Sequence, residues 1–167
     1  GHAVTTLPYK IAVLCYLEDE EGRLLMLHRS RNPNAGMYSP VGGKLETNIG
    51  ESPQMCAVRE IQEEAGVDLL ESDLNLIGIL SETGYEGSAH WLIFLFRAKR
   101  AISHKEIAAM EMDEGTLHWI GRAWIGDLDL PETDEMVLWP LVQKNWDGFF
   151  TVHIDCISEP IPWTEHE

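Results

Sequence analysis

Residues 43–67 read GKLETNIGESPQMCAVREIQEEAGV, and the second half of that stretch is a helix with both ends written into it. Ser52-Pro53 opens it: a serine hydroxyl can accept from a first-turn amide, and proline costs little where its missing N–H has no intrahelical partner. Ala57, Val58, Ile61 and Ala65 return at helical spacing as one apolar face, and Gly66 stands where a left-handed residue ends a helix. Glu60, Glu63 and Glu64 fall at i, i+3 and i+4, which crowds three carboxylates on one side. Such a side is either a solvated acidic surface or a place where divalent cations offset the repulsion, and Mg2+ takes an oxygen-only, partly hydrated environment. Arg59 is placed to pair with one of the three. Gly42-Gly43-Lys44 precedes the helix by a short loop and Glu51 stands at its entrance, so carbonyls and carboxylates can converge there; the double glycine predicts a bend.

The charge balance points the same way. The chain of 167 residues carries 12 Lys+Arg against 28 Asp+Glu, a formal charge of −16, which repels nucleic-acid backbones and anionic membranes. Neither a polynucleotide nor a membrane is expected as a partner, and a phosphate-bearing ligand would need cations between itself and the carboxylates. Cys15, Cys56 and Cys156 are odd in number and show no zinc or disulfide spacing, so they read as free thiols in a reducing cytoplasm. The longest uncharged apolar run, residues 91–96, is too short to span a bilayer, and the chain opens without a charged-then-apolar leader. The length suits one domain over residues 3–167, with Gly1-His2 set aside as a tag remnant.

Outward from the helix, residues 11–17 and 23–28 read as a strand hairpin around a charged, Gly-containing turn. Residues 32–38 read as a loop, residues 75–81, 90–97 and 116–120 as strands, and the second of these is so apolar that both its faces should be covered by helices. A short helix is expected over 124–128, a longer one over 134–145 despite Pro140, a last strand over 149–156, and an irregular tail over 159–167. The pattern is mixed α and β, with buried strands flanked by helices.

The 43–67 stretch resembles the Nudix box, written G-x5-E-x7-R-E-U-x-E-E-x-G-U with U aliphatic. Glu51, Arg59, Glu60, Ile61, Glu63, Glu64, Gly66 and Val67 keep that spacing, whereas Gly43 lies two residues early, as if the loop 46–50 carried an insertion. The resemblance implies a Nudix-like α/β/α sandwich around a mixed, partly antiparallel sheet, and a pyrophosphohydrolase using Mg2+, with Mn2+ as a substitute. Metal ligation then falls to Glu60 and Glu64, with Glu63, Glu51 and the Gly43 carbonyl contributing. Arg59 would orient the ligands, and Glu114, or Glu111 as second choice, would serve as a further ligand or general base; an exposed loop glutamate is the plain alternative for both. Neither the G-x-S-x-G nucleophile elbow nor the G-x4-G-K-[ST] phosphate loop is present.

Similarity beyond the box, in residues 24–46, 113–120 and 132–150, points to the group that removes 8-oxo-dGTP and related oxidised purine nucleotides. It implies purine-edge contacts from Asp134 and Glu135, apolar or stacking surface from Tyr38 or Trp139, and a further substrate contact from Ser39. Asp134 equally suits a helix N-terminus, and Trp139 equally suits core packing. Ser39-Pro40-Val41 replaces the Asn that some such enzymes place before Gly-aromatic-Gly-Gly, which weakens specific 8-oxoguanine readout. Arg29, Arg31 and Lys44 are either phosphate contacts or solvated cations, and the seven histidines show no metal spacing. The alternative substrates are ADP-ribose, dinucleotide polyphosphates and nucleotide sugars. A non-catalytic nucleotide sensor is a further alternative, against which the intact carboxylates stand. Either a monomer or a homodimer is compatible with this reading.

Overall fold

The computed structural model describes residues 6–32, 34–158 and 161–166. Its strands are β1 (Tyr9–Tyr16), β2 (Arg23–Arg29), β3 (Tyr38–Lys44), β4 (Leu74–Tyr85), β5 (Ala89–Ala98), β6 (Glu111–Met112), β7 (Gly115–Gly121), β8 (Phe150–Asp155) and β9 (Trp163–His166). They form one sheet in the order β6-β7-β2-β3-β1-β5-β4-β8-β9. The β1–β5 and β4–β8 pairs are parallel and the others antiparallel, so the sheet is mixed as expected.

The helix of the opening stretch is α1 (Pro53–Ala65). Ser52 Oγ accepts from the Met55 amide at 3.1 Å, and Gly66 closes it at φ 72°. Its buried face, Cys56, Ala57, Ile61 and Ala65, packs on Val13, Cys15, Leu25, Leu27, Val41, Phe96 and Leu117. Burying Ile61 alone is worth about 2–3 kcal/mol. The opposite face of the sheet is covered by α2 (Arg122–Ile125), a π-helical turn (Asp134–Leu138) and α3 (Trp139–Lys144). Val137, Leu138, Trp139, Leu141 and Val142 pack there on Tyr16, Met26, Ile77, Leu80 and Leu95. The expected long helix is thus present with a wide turn just ahead of Pro140. A proline ring crowds the carbonyl four residues back, and widening that turn relieves the clash.

Four expectations need correction. The N-terminal hairpin closes only at its tip, where the Asp19 amide donates to the Arg23 carbonyl and the Leu25 amide to the Leu17 carbonyl, both at 2.9 Å. Past the tip, β3 lies between its two arms. Leu24 to Leu27 are all buried, so β2 is covered on both faces and takes β3 and β7 as neighbours instead of β1. Nor does the double glycine bend the chain, because β3 runs through it, pairing with β2 over Tyr38, Ser39 and Pro40 and with β1 from Val41 to Lys44. β5 is not covered along its middle: Ala89, Leu95 and Phe96 are buried, while Trp91, Leu92, Ile93 and Phe94 stay half-buried. Finally, the tail is not irregular throughout, since β9 adds to β8 as the outermost strand. Residues 1–2, set aside as a tag remnant, lie outside the described residues.

Candidate active site

Arg59 is the hub of the α1 face. Its Nε and Nη2 donate to the two oxygens of Glu51, each at 2.8 Å, its Nη1 to Glu60 at 2.9 Å and to Glu63 at 3.2 Å, and its Nη2 also to the Lys44 carbonyl at 3.2 Å. Glu51 is buried and accepts a further bond from the Glu46 amide. The Arg59 guanidinium holds the Glu51 carboxyl down at about 2, and Glu51 in turn pushes the Arg59 pKa up. This fork joins the loop before α1 to the helix itself.

Beside it, α1 lies along β3 at the two glycines. Glu64 accepts from the Gly42 amide at 3.0 Å. A Cβ at Gly43 would lie 2.5 Å from the Glu60 carboxylate, and one at Gly42 would collide with the Val13 carbonyl. Glycine is needed at both places for close approach, to a strand in one case and to a carboxylate in the other. Burial raises the Glu64 carboxyl to about 8, with Glu60 and Glu114 adding to the rise and the Gly42 amide and Arg29 opposing it. Burial also raises Glu60, against the pull of Arg59, and Glu63 and Glu114 contribute. Glu114 therefore lies close enough to act on both; it is exposed, and its carbonyl accepts from the Ser30 amide. Glu111 is exposed in β6.

This donor set fits a hard divalent cation. Two carboxyls that cannot both ionise cheaply, the Gly43 carbonyl and a third acid within reach are oxygen donors short of positive charge. Among the described residues no group of three His, Cys, Asp or Glu side chains is drawn together at metal-binding geometry, because Arg59 pulls Glu51, Glu60 and Glu63 toward itself. Arg59 thus spends its donors on the same acids a cation would use.

The substrate-contact residues of the sequence reading are divided. Tyr38 and Pro40 face the α3 side, where Asp134 lines a small pocket with Tyr16, Met26, Pro40, Leu138 and Trp139. Strand alternation turns Ser39 to the α1 side with Val41. Tyr38 has one ring face stacked on His28, centroids 4.5 Å apart. Trp139 is core, packed at 6.2 Å from the Tyr16 ring. Glu135 is exposed, whereas burial raises the Asp134 carboxyl to about 7, helped by Glu82. Arg31 and Lys44 are exposed, and Arg29 acts electrostatically on Glu64.

Glu82 belongs to no motif and no spacing pattern singles it out. It is 5% exposed, on β4, with its Oε2 accepting from the Cys156 thiol at 3.4 Å. The signal for it was an acid standing alone among the apolar residues of a long strand. His104 shows no metal spacing, but its Nε2 meets the buried Asp19 carboxylate at 2.7 Å and its ring stacks on Trp119; this contact anchors the segment between β5 and β6.

Residues 8–141 match the model of the family described as NUDIX domain. The chain belongs to the Nudix domain family. Nudix enzymes generally use divalent metal ions. Among solved structures, the MutT protein of Bacillus halodurans superposes with a TM-score of 0.72 at 23% identity, covering 93% of this chain and 97% of that one. The MutT protein of Methanosarcina mazei gives 0.69 at 22%, over 85% and 99%. The Nudix domain of Shewanella oneidensis NrtR, solved with ADP ribose, gives 0.65 at 13%, over 86% and 90%. At these identities the likeness shows the fold. The dihydroneopterin triphosphate diphosphatase of Escherichia coli K12 is 32% identical over 83 residues, 50% of this chain and 52% of that protein. The chain thus spans about half the length of the curated relatives it matches. Among the described residues no helix is long and apolar enough to cross a membrane.

Proposed function

We propose that this Nudix protein cleaves a nucleoside triphosphate to the monophosphate and pyrophosphate, with Mg2+ (or Mn2+), and that oxidised purine nucleotides such as 8-oxo-dGTP are its favoured substrates. The observation that carries the reading is the convergence of Glu60 and Glu64 on the Gly42-Gly43 backbone, with both carboxyls raised, first by burial, and with Glu114 adding to each rise. Glu60, Glu64, Glu63, Glu51 and the Gly43 carbonyl would hold the cation. When bound, the divalent cation lowers the pKa of a water and offsets phosphate charge. Arg59 fixes Glu51 and orients Glu60. Glu114, exposed and beside both central carboxyls, takes a proton from the attacking water, whose oxygen bonds to phosphorus as the bridging P–O bond breaks. Asp134 faces the ring of the substrate. A second reading, a pterin triphosphate as substrate, draws support from the 32% identity to the dihydroneopterin triphosphate enzyme.

The test is release of pyrophosphate, separated from phosphate, with Mg2+ and then with EDTA. The panel is 8-oxo-dGTP, 8-oxo-GTP, the ordinary nucleoside triphosphates, dihydroneopterin triphosphate, ADP-ribose and diadenosine polyphosphates. Highest kcat/KM on the oxidised purines supports the first reading, and highest on the pterin supports the second. A preference for ADP-ribose or dinucleotides removes both, and EDTA-insensitive turnover removes the cation assignment.

A further inference from the structure

Among the described residues, Glu82 is a buried acid with no cation paired to it. It shares a face of β4 with Leu80, on the α3 side of the sheet, and is 5% exposed. Its single hydrogen-bond donor among the described residues is the neutral Cys156 thiol on Oε2, and no ion pair holds it. The other oxygen, Oε1, has no donor there, yet it is not among the atoms sealed from solvent. Burial raises the carboxyl, as expected for a charge that nothing compensates. Within its electrostatic reach is Asp134, whose carboxylate also makes no hydrogen bond among the described residues. The sheet face beside Glu82 is apolar and incompletely covered, with Leu14, Ile93 and Cys156 half-buried against the α3-side core, and Pro40, Leu138 and Trp139 wall a small pocket of about 10 Å³ at Asp134. A hydrated metal ion would want further oxygen donors and finds apolar walls. A flat heterocycle with N–H donors on its edge suits both the walls and the acids.

We propose that Glu82 is a specificity residue of the substrate cleft, accepting from the adjacent ring N–H and exocyclic NH2 of a 2-amino-4-oxopyrimidine edge, the edge that guanine, 8-oxoguanine and pterin share. The inference rests on the proposed function in taking a ring-bearing phosphate ester as the ligand. Two neighbouring donors match the two oxygens of one carboxylate, as a guanidinium does. Oε2 keeps a lone pair for the second donor after accepting from Cys156, which fixes its direction. A ring lacking the 2-amino group leaves the buried carboxylate short of a partner, and that is how a polar site rejects an analogue. The same edge would explain how one cleft serves either reading of the substrate.

The test compares binding of deoxyguanosine 5′-monophosphate and deoxyinosine 5′-monophosphate, which differ by the 2-amino group, by isothermal titration to the wild-type protein and to Glu82→Gln. Wild type is expected to bind the guanine compound about tenfold more tightly. Glu82→Gln is expected to bind both within about twofold, at the wild-type affinity for the inosine compound. If Glu82→Gln does not fold, Glu82→Asp, which keeps the charge and shortens its reach, is expected to lose the preference as well. A folded variant that keeps the tenfold preference, or wild type that binds both alike or neither, overturns the proposal. A role in the fold alone would show as a raised Tm in Glu82→Gln with the preference unchanged, which also overturns it. Absence of pyrophosphate release from every triphosphate would sink the proposed hydrolysis while the monophosphate preference stood.

Discussion

Glu64 shows how much one side chain owes to its surroundings. Its carboxyl is pushed from the usual range to about 8, first by burial and then by Glu60 and Glu114, so in cation-free protein the folded state holds a proton that the unfolded chain releases near 4.5. Folded protein therefore binds more protons than unfolded protein between about 4.5 and 8, and stability falls as pH rises through that window. Thermal unfolding in EDTA should show Tm decreasing from pH 5 to pH 8, with a flatter slope in Glu64→Gln; an equal slope in both would remove Glu64 as the cause. The same variant should lose roughly 10²–10³-fold in kcat with Mg2+ saturating. Unchanged turnover would end its assignment as a ligand. Spacing put Glu60, Glu63 and Glu64 on one side of a helix, and that much was legible. The competing claim of Arg59 on Glu51, Glu60 and Glu63 was not, because it depends on the fold of the loop ahead of the helix.

At the scale of elements, β3 carries the most consequence for its length. It pairs with β2 in its first half and β1 in its second, and it presents Gly42 and Gly43 to two different neighbours. A methyl group at Gly42 meets the backbone carbonyl of Val13, which cannot yield without parting the strands. At Gly43 it meets the end of the Glu60 side chain, which can rotate away. Gly42→Ala should thus unfold at lower denaturant, by about 2 kcal/mol or more, while Gly43→Ala should stay within about 1 kcal/mol of wild type and lose most of its activity. Denaturant midpoints and kcat/KM measured side by side check the pair, and equal effects of the two on stability would refute the distinction. The glycines read as a bend because adjacent glycines usually punctuate turns. Their actual use, close approach to a strand and to a carboxylate, depends on partners that lie far away in sequence. The boundaries of α1 were legible, since its N-cap and C-cap are local chemistry. The insertion of β3 into the expected hairpin was not, because strand partners are chosen by two-sided burial across the whole sheet. Glu82 was hidden similarly: its place on β4 is local, but its lack of a cation partner among the described residues is a property of the fold.

For the whole molecule, the formal charge of −16 and the carboxyls of the α1 face act in the same direction. Self-repulsion weakens the compact state, and it is most costly where carboxylates are buried together. A divalent cation bound by the folded state and not by the unfolded chain stabilises it by RT ln(1 + [L]/Kd), about 2.7 kcal/mol at a hundred times Kd. Monovalent salt only screens the surface charges and does little for buried groups. Titrating MgCl2 at constant ionic strength should therefore raise Tm along a curve that continues logarithmically above Kd. KCl at matched ionic strength should give a smaller change that levels off. Glu60→Gln combined with Glu64→Gln should already have a raised Tm in EDTA, because two repelling acids are gone, and should respond to MgCl2 as weakly as to KCl. If the double variant keeps the full magnesium response, the cation is held elsewhere on this acidic surface, and the convergence of α1 with β3 is not what binds it.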